Sequence, residues 1–342
     1  MSAGSPEAAA PRGSRLGRGV KLGLGLLLSL LFLYATFATV PFGKVLDALA
    51  DARPQWIAAS LGCIALAYLL KIYRWTIMLR SLGARVGLSD TAAPFLGGVA
   101  FNNVLPLRAG DVIRVVAFQR FTGVPAAGQL GSLLLERLLD LFVLMAFLFA
   151  TVSFWQISAL DEALLSGARL AALAVAAAIV MFVAAPQLIR LVVRWAEDRL
   201  PKLRPAGEAL LRLSDAVATL SRPLFLARVV ALSVLAWLAE GGAYLMVGLA
   251  LGVAPTVPAA LLAVSIGTLS TIIPSSPGYV GTFHFFTAKA VSAFGAGAVG
   301  AAAYAILIHA LLWLSTTACG FLLLALSGFG TRGAAAAARA AE

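Results

Sequence analysis

Charge is scarce in this chain: 12% of its 342 residues are Asp, Glu, Lys or Arg, where about a quarter is usual in a soluble domain. Cysteine and histidine are scarcer still. Cys63 and Cys319 both lie inside apolar runs, so no disulfide framework and no Cys-x-x-Cys metal clip can form. His284 and His309 have no usual zinc spacing to those cysteines. No Gly-x-x-x-x-Gly-Lys-Ser/Thr loop is present to hold a nucleotide phosphate. No Gly-x-Ser-x-Gly elbow and no His-Glu-x-x-His helix is present either. No extramembrane stretch is long enough for a soluble catalytic fold. From these absences the sequence predicts no cofactor, no metal and no enzyme activity.

What is abundant is apolar surface. Apolar residues make up 61% of the chain, against roughly 45–50% in soluble domains. A soluble fold of this size cannot hide that much, and a disordered chain would be apolar-poor. The net charge of +11 does not indicate a nucleic-acid partner, because the basic residues are dispersed between apolar spans rather than gathered on one face. Six segments are long enough to cross a bilayer core of about 30 Å as helices: residues 22–40, 55–79, 126–153, 169–189, 223–250 and 297–326. Arg12, Arg15, Arg18 and Lys21 precede the first. That run is longer than the apolar core of about 7–15 residues in a cleaved signal, so it reads as an uncleaved span.

Two further apolar stretches, residues 91–121 and 258–294, are broken by Pro and Gly near Pro106 and Gly110, and near Pro274, Pro277 and Gly278. Their arms of about 15 residues reach about 22 Å, too short to cross comfortably. They read as re-entrant hairpins. With the N-terminus inside, 18 of the 26 Lys and Arg residues fall on inner segments and 4 on outer ones. This places both termini in the cytoplasm of a plasma (inner) membrane protein.

A shift of 168 residues lays Pro106 on Pro274, Gly110 on Gly278, and the spans 55–79 and 131–153 on 223–247 and 299–321. Each half then holds three crossings and one hairpin. An odd number of crossings forces the halves into opposite orientation, the inverted-repeat plan of many transporters. The expected fold is therefore an all-α polytopic membrane protein of about six transmembrane helices and two oppositely oriented re-entrant hairpins. The expected organisation is a basic tail (1–21), a transmembrane domain (22–328, half-repeats 22–153 and 169–326, cytoplasmic loop 190–222) and a disordered tail (329–342). Loop 190–222 mixes charge with Leu at helical spacing and is expected to lie on the inner headgroup surface.

Ionisable residues at membrane depth are expensive and each demands an explanation. Glu136 and Asp140 share a helix face, and Arg137 lies three residues before Asp140. Their expected partners are Arg108 or Arg114 from the first hairpin. The first tip combines Asn102, Asn103, Arg108, Asp111 and Arg114; the second offers Ser275, Ser276, Gly278 and, one turn on, His284. Unpaired backbone at a re-entrant tip is tolerated only beside a polar cavity or protein. The guanidinium fork of Arg108 suits phosphate. Glu240 is read either as a proton-sensitive switch or as a partner of Lys71 or Arg74, which are otherwise expected to snorkel to the inner interface. The candidate substrate-binding set is thus Asn102, Asn103, Arg108, Asp111, Arg114, Glu136, Arg137, Asp140, Glu240, Ser275, Ser276, Gly278 and His284.

Three motifs carry a family resemblance: Asn-x-x-Leu-Pro-x-Arg-x-Gly-Asp-x-x-Arg from Asn102 to Arg114, Glu-Arg-x-x-Asp from Glu136 to Asp140, and Ile-Pro-x-Ser-Pro-Gly-x-x-Gly from Ile273 to Gly281. In this order they resemble the flippase-like, or lysylphosphatidylglycerol synthase transmembrane-domain, family over residues 20–328. The family's usual Glu after the first glycine is Asp111 here, and the Glu often found after the second hairpin's glycines is His284. The resemblance implies translocation of a lipid or lipid-linked headgroup between leaflets. In fused members the lipid is an aminoacylated phosphatidylglycerol made by a soluble aminoacyl-transferase domain, which residues 1–342 are not expected to contain. The expected partner is a membrane phospholipid or lipid-linked substrate, with a separate lipid-synthesis enzyme as a second partner. Two alternatives stay open: a scaffold for a lipid-modifying enzyme, and an integral-membrane transferase using Glu136 and Asp140 as acid and base.

Overall fold

The structure, a computed structural model, describes residues 15–38, 40–117, 119–155, 162–197 and 204–327. Among them every regular element is a helix. The basic tail expected over 1–21 lies outside the described residues as far as Arg15, where α1 begins, and the tail expected over 329–342 lies outside them altogether.

The helices run in chain order as α1 (Arg15–Phe37), α2 (Phe42–Ala50), α3 (Pro54–Ser81), α4 (Leu88–Val104), α5 (Ala109–Ala117), α6 (Gln119–Thr122), α7 (Ala126–Trp155), α8 (Glu162–Glu197), α9 (Arg204–Leu220), α10 (Pro223–Leu251), α11 (Val257–Ser270), α12 (Thr282–Ser292) and α13 (Ala298–Leu326). Their limits follow local chemistry. Pro54, Pro223 and Pro258 sit in first turns, where a missing N–H costs nothing. Gly252, at φ 65°, ends α10 in the left-handed conformation. Thr256 caps α11 by accepting from Ala259 N–H at 3.4 Å.

Five helices, α3, α7, α8, α10 and α13, are long and apolar enough to cross a membrane, and α1 with α2, bent by 79°, makes a sixth. Their outward faces expose Leu24, Leu27, Leu170, Leu173, Leu235 and Leu322, as lipid contact requires. The chain is an all-α polytopic membrane protein.

α3 and α10 form the central pair. Arg53 N–H donates to Ala250 C=O at 3.0 Å, Ser60 Oγ to Ala243 C=O at 3.1 Å, Lys71 Nζ to Glu240 and Arg74 Nη1 to Ser233 Oγ at 2.7 Å. Numbers rise along one helix as they fall along the other, so the pair is antiparallel. The hairpin of α4 and α5 follows the end of α3, and that of α11 and α12 follows the end of α10, so the two enter from opposite sides. The repeat shift carries α3 onto α10, α4 onto α11, α5 onto α12 and α7 onto α13. The packing obeys it: α4 lies on α13 and α11 on α7, while α5 lies on α7 and α12 on α13.

The repeat breaks in two places. α1 packs on α12 and α2 on α13; in the other half α9 packs on α7, but α8 lies against α7 and α9 instead of covering α5. The tips also differ in length. Gly110 is helical in α5, whereas Gly278, its match by sequence shift, has φ 71° in an irregular turn. The match of Pro106 to Pro274 therefore aligns motifs and not backbones.

α8 runs through Glu197 into the expected loop, and α9 turns back along it, with Ser214 Oγ donating to Pro186 C=O at 3.1 Å and Arg190 to Asp215 at 2.8 Å. α9 buries Ala216, Val217 and Leu220, the last two in a core shared with neighbouring helices, so protein covers part of its apolar face. Three apolar clusters result among the described residues, a small one around Val45, Ala302 and Ala303 and two larger cores. One holds Ile72, Trp75, Leu139 and Val229; the other holds Ile64, Val143, Trp237 and Tyr244. Asp140, Ser233, Lys71 and Glu240 lie where the two meet.

Candidate functional site

The two hairpin tips touch each other. After Val104 the chain turns extended at Leu105, and Pro106–Arg108 form a single 3₁₀ turn before α5. Arg108 has φ 52° and Tyr279, on the other tip, φ 58°. Such values are uncommon for residues with a side chain and cluster at functional sites. Arg108 Nη2 donates to Thr271 Oγ1 at 2.8 Å and to Thr271 C=O at 3.4 Å, and its guanidinium carbon lies 5.9 Å from the centre of the Tyr279 ring. Trp313 Nε1 donates to Asn103 C=O at 3.3 Å. A Cβ on Gly278 would come within 3.3 Å of that same carbonyl and 2.8 Å of Trp313 Nε1, so only glycine allows this approach.

Between the tips is a cavity of about 220 Å³, bordered by Gly25 of α1, by Asn102, Leu105, Pro106 and Arg108, and by residues 271–279. Its polar atoms come from both hairpins. Asn102 is held by Asp111, donating Nδ2–H to Asp111 Oδ1 at 3.0 Å and accepting from Asp111 N–H at 3.1 Å. Ser276 N–H donates to Ser29 Oγ of α1 at 2.7 Å, and Ser275 Oγ accepts from Thr282 Oγ1 at 3.2 Å.

Behind the first tip runs a layer of ion pairs. Arg137 Nη2 reaches Asp111 at 2.9 Å and Glu136 at 3.5 Å, and Arg137 Nη1 reaches Asp140 at 3.8 Å. Arg114 Nη2 donates to Glu136 at 3.0 Å, its guanidinium about 5 Å from the rings of Trp75 and Phe95. Arg74 Nη1 donates to Asp140 at 2.7 Å, and Trp237 Nε1 to the same carboxylate oxygen at 3.0 Å. Lys71 Nζ lies 3.9 Å above the Trp237 ring and pairs with Glu240. Arg74 is fully buried, and Glu136, Asp140 and Glu240 are less than a tenth exposed. Charge at this depth persists only where paired.

The structure therefore divides the residues singled out in the sequence. Asn102, Arg108, Ser275, Ser276 and Gly278 line the cavity. Arg114, Glu136, Asp140 and Glu240 belong to the buried layer, and Asp111 with Arg137 joins the two. Asn103 turns away, donating to Thr316 at 3.1 Å and Thr317 at 2.9 Å on α13. His284 does not border the tip cavity. Its Nδ1 accepts from Gly281 N–H at 3.3 Å, capping α12, and its ring packs 4.6 Å from His309.

Of the two expected partners, Arg114 and not Arg108 pairs with Glu136, and Glu240 pairs with Lys71, one of the two partners expected for it. Lys71 and Arg74 do not snorkel: both are buried, and Lys71 stands ten residues, about 15 Å at helical rise, from the C-terminal end of α3 at Ser81. Thr271, Tyr279 and Trp237 are absent from the sequence-derived set, since nothing local separates them from packing residues.

Comparison with known proteins sharpens this picture. Glycosyltransferase AglD of Haloferax volcanii is 28% identical over 334 residues, covering 86% of this chain and 53% of that protein. The UPF0104 membrane protein MJ1595 of Methanocaldococcus jannaschii is 20% identical over 135 residues, 39% of this chain and 40% of that protein. The chain thus spans about half the length of the first relative. The expectation of a non-enzyme is overturned here, because a protein named a glycosyltransferase aligns with most of the chain. Missing nucleotide and hydrolase motifs exclude those particular routes and not catalysis on a membrane-embedded substrate. A family profile, described as the lysylphosphatidylglycerol synthase TM region, matches residues 22–320. With the meeting hairpins and the three motifs inside that match, the chain belongs to the lysylphosphatidylglycerol synthase transmembrane-region family.

Proposed function

We propose that this membrane protein serves lipid or glycan processing by binding the headgroup of a lipid-linked substrate between the two hairpin tips, in support of a transfer reaction on that substrate. The observation that carries the reading is Arg108. It lines a polar cavity at membrane depth, in a strained conformation, and among the described residues no carboxylate lies within ion-pair distance of it. A guanidinium in that setting favours an anion, and a lipid phosphate is the anion a membrane offers. The similarity to glycosyltransferase AglD supports the transfer context, as does membership of a family described by a synthase. Asn102, Ser275, Ser276 and the Gly278 backbone would contact the headgroup, while the Glu136–Arg137–Asp140 layer and Glu240 would hold the first hairpin in place.

A second reading is movement of that headgroup between leaflets. The opposed entry of the hairpins favours it, since rocking one half against the other would open the cavity to alternate sides. In both readings the protein lies in the plasma (inner) membrane with its termini in the cytoplasm, supported by the surplus of Lys and Arg on that side.

A photoactivatable lipid phosphate in proteoliposomes tests the shared core. Cross-links are expected in residues 105–114 and 270–282, and fewer in Arg108→Ala. Cross-links confined to other segments would refute it. Label transfer to a lipid-linked acceptor then separates transfer from leaflet exchange, which is followed with a fluorescent lipid.

A further inference from the structure

Building on that reading, we infer that the headgroup carries one net negative charge, a phosphodiester bearing free hydroxyl groups. The inference comes from a charge census at membrane depth. Among the described residues, four carboxylates face this region: Asp111, Glu136, Asp140 and Glu240. Each has a cation within ion-pair distance, namely Arg137, Arg114, Arg74 and Lys71. Arg108 is the fifth cation, and it donates to the hydroxyl and carbonyl of Thr271. Among the described residues the other titratable side chains near the tips are Tyr279, beside Arg108, His284, which is buried, and His309, which is half-buried, both histidines hydrogen-bonded to backbone.

Taken with its acids ionised, the assembly is one positive charge in excess. An unbalanced charge in a low-dielectric interior is costly. One negative charge cancels it. A zwitterionic or cationic headgroup leaves the excess in place or adds to it, and a dianion replaces it with an excess of the opposite sign.

The rest of the lining speaks for hydroxyls. Asn102 presents an amide, Ser275 and Ser276 present hydroxyls, and the Tyr279 ring supplies a flat apolar wall. Amides and hydroxyls hydrogen-bond to neutral polyols, and among the described residues no second cation borders the cavity to take a second phosphate. A glycerol headgroup and a hexosyl phosphate both carry this chemistry.

The test uses the full chain in phosphatidylcholine nanodiscs, with lipid retention read by native mass spectrometry. The probes are phosphatidylglycerol and a polyprenyl phosphohexose as hydroxylated monoanions, phosphatidylmethanol as a monoanion without hydroxyls, phosphatidylethanolamine, lysylphosphatidylglycerol, and a polyprenyl diphosphohexose. At least one hydroxylated monoanion is expected to bind tenfold or more tightly than the zwitterionic, cationic and diphosphate probes and more tightly than phosphatidylmethanol. Which one leads identifies the source of the headgroup. Arg108→Asn, whose side chain tolerates positive φ, is expected to lose that preference by tenfold or more, and Arg108→Lys to keep the order of charge classes. Preference for lysylphosphatidylglycerol or the diphosphate overturns the charge assignment alone. Equal binding of phosphatidylmethanol overturns the hydroxyl assignment alone. Binding of no probe overturns both this inference and the headgroup site on which it rests.

Discussion

Lys71 and Arg108 are both cations at membrane depth, and their surroundings make them respond in opposite ways to substitution. Lys71 is buried, clamped between Glu240 and the Trp237 and Tyr68 rings. Removing it strands a carboxylate, so Lys71→Met is expected to cost about 3–5 kcal/mol. The apolar double substitution Lys71→Met with Glu240→Met should recover most of that loss, because a desolvated pair and a well-packed apolar pair of similar volume are close in energy. Unfolding midpoints of the two variants in detergent check this. If the double variant is no more stable than the single one, the pair holds more than its own charges. Arg108 strands nothing when removed. Arg108→Asn is therefore expected to change stability by less than about 1 kcal/mol, the scale of surface substitutions and single neutral hydrogen bonds, while headgroup cross-linking falls. Sequence showed that these residues were unusual, since charge in an apolar span is visible directly. Which of them lacked a counter-ion was not visible.

At the scale of the element, glycine decides how close the helices come. Gly110 of α5 faces Gly98 of α4, and a Cβ at Gly110 would lie 2.0 Å from Gly98 C=O. Gly110→Ala must push the arms of the first hairpin apart and displace Asp111 from Asn102. A loss of about 2 kcal/mol or more is expected, in the upper range of overpacking costs, together with weaker headgroup binding; thermal unfolding and lipid retention measure the two. Gly281 has φ 98° and would bring a Cβ within 2.3 Å of Ser29 C=O. Gly281→Ala should lift α1 off the second hairpin and raise the protease sensitivity of α1, which limited digestion would show.

Both hairpins were legible as breaks because Pro and Gly act locally on backbone hydrogen bonding. Their detailed correspondence was not. The shift that matches Gly110 to Gly278 joins a helical residue to a turn residue, since equal spacing in sequence does not ensure equal backbone when one tip holds more irregular residues. The amphipathic stretch around Arg204–Leu220 was legible as a helix, but its partner was not. An apolar stripe reads the same whether lipid or α7 covers it.

Across the whole molecule the opposed halves make a topological prediction. The end of α3 and the end of α10 lie on opposite sides, so the loops before the two hairpins must too. In a background lacking Cys63 and Cys319, Ser89→Cys and Ser292→Cys, both at exposed positions, are expected to react with a membrane-impermeant maleimide from opposite faces of sealed vesicles. Ser292→Cys should react from outside intact cells. Labelling of both from one face would rule out the inverted arrangement. The halves are unequal in their covering: α1 lies over α12, while α8 leaves α5 to other neighbours, and Val112 and Val116 of α5 are more than half exposed. The first hairpin thus has a lipid-facing flank that the second lacks.

The sequence by itself determined that this chain lives in a bilayer, where its helices cross, where two of them break and that the halves oppose. Each of these follows from hydropathy, from Pro and Gly, and from parity, all of which are local properties or sums of them. Tertiary structure alone decided that the breaks meet around one cavity, that Lys71 faces Glu240 across 169 residues of chain, and that Arg108, beside the cavity, has no described carboxylate within ion-pair distance. Those outcomes depend on distances of a few ångströms between residues far apart in sequence, and electrostatic pairing in a low-dielectric interior is set by such distances.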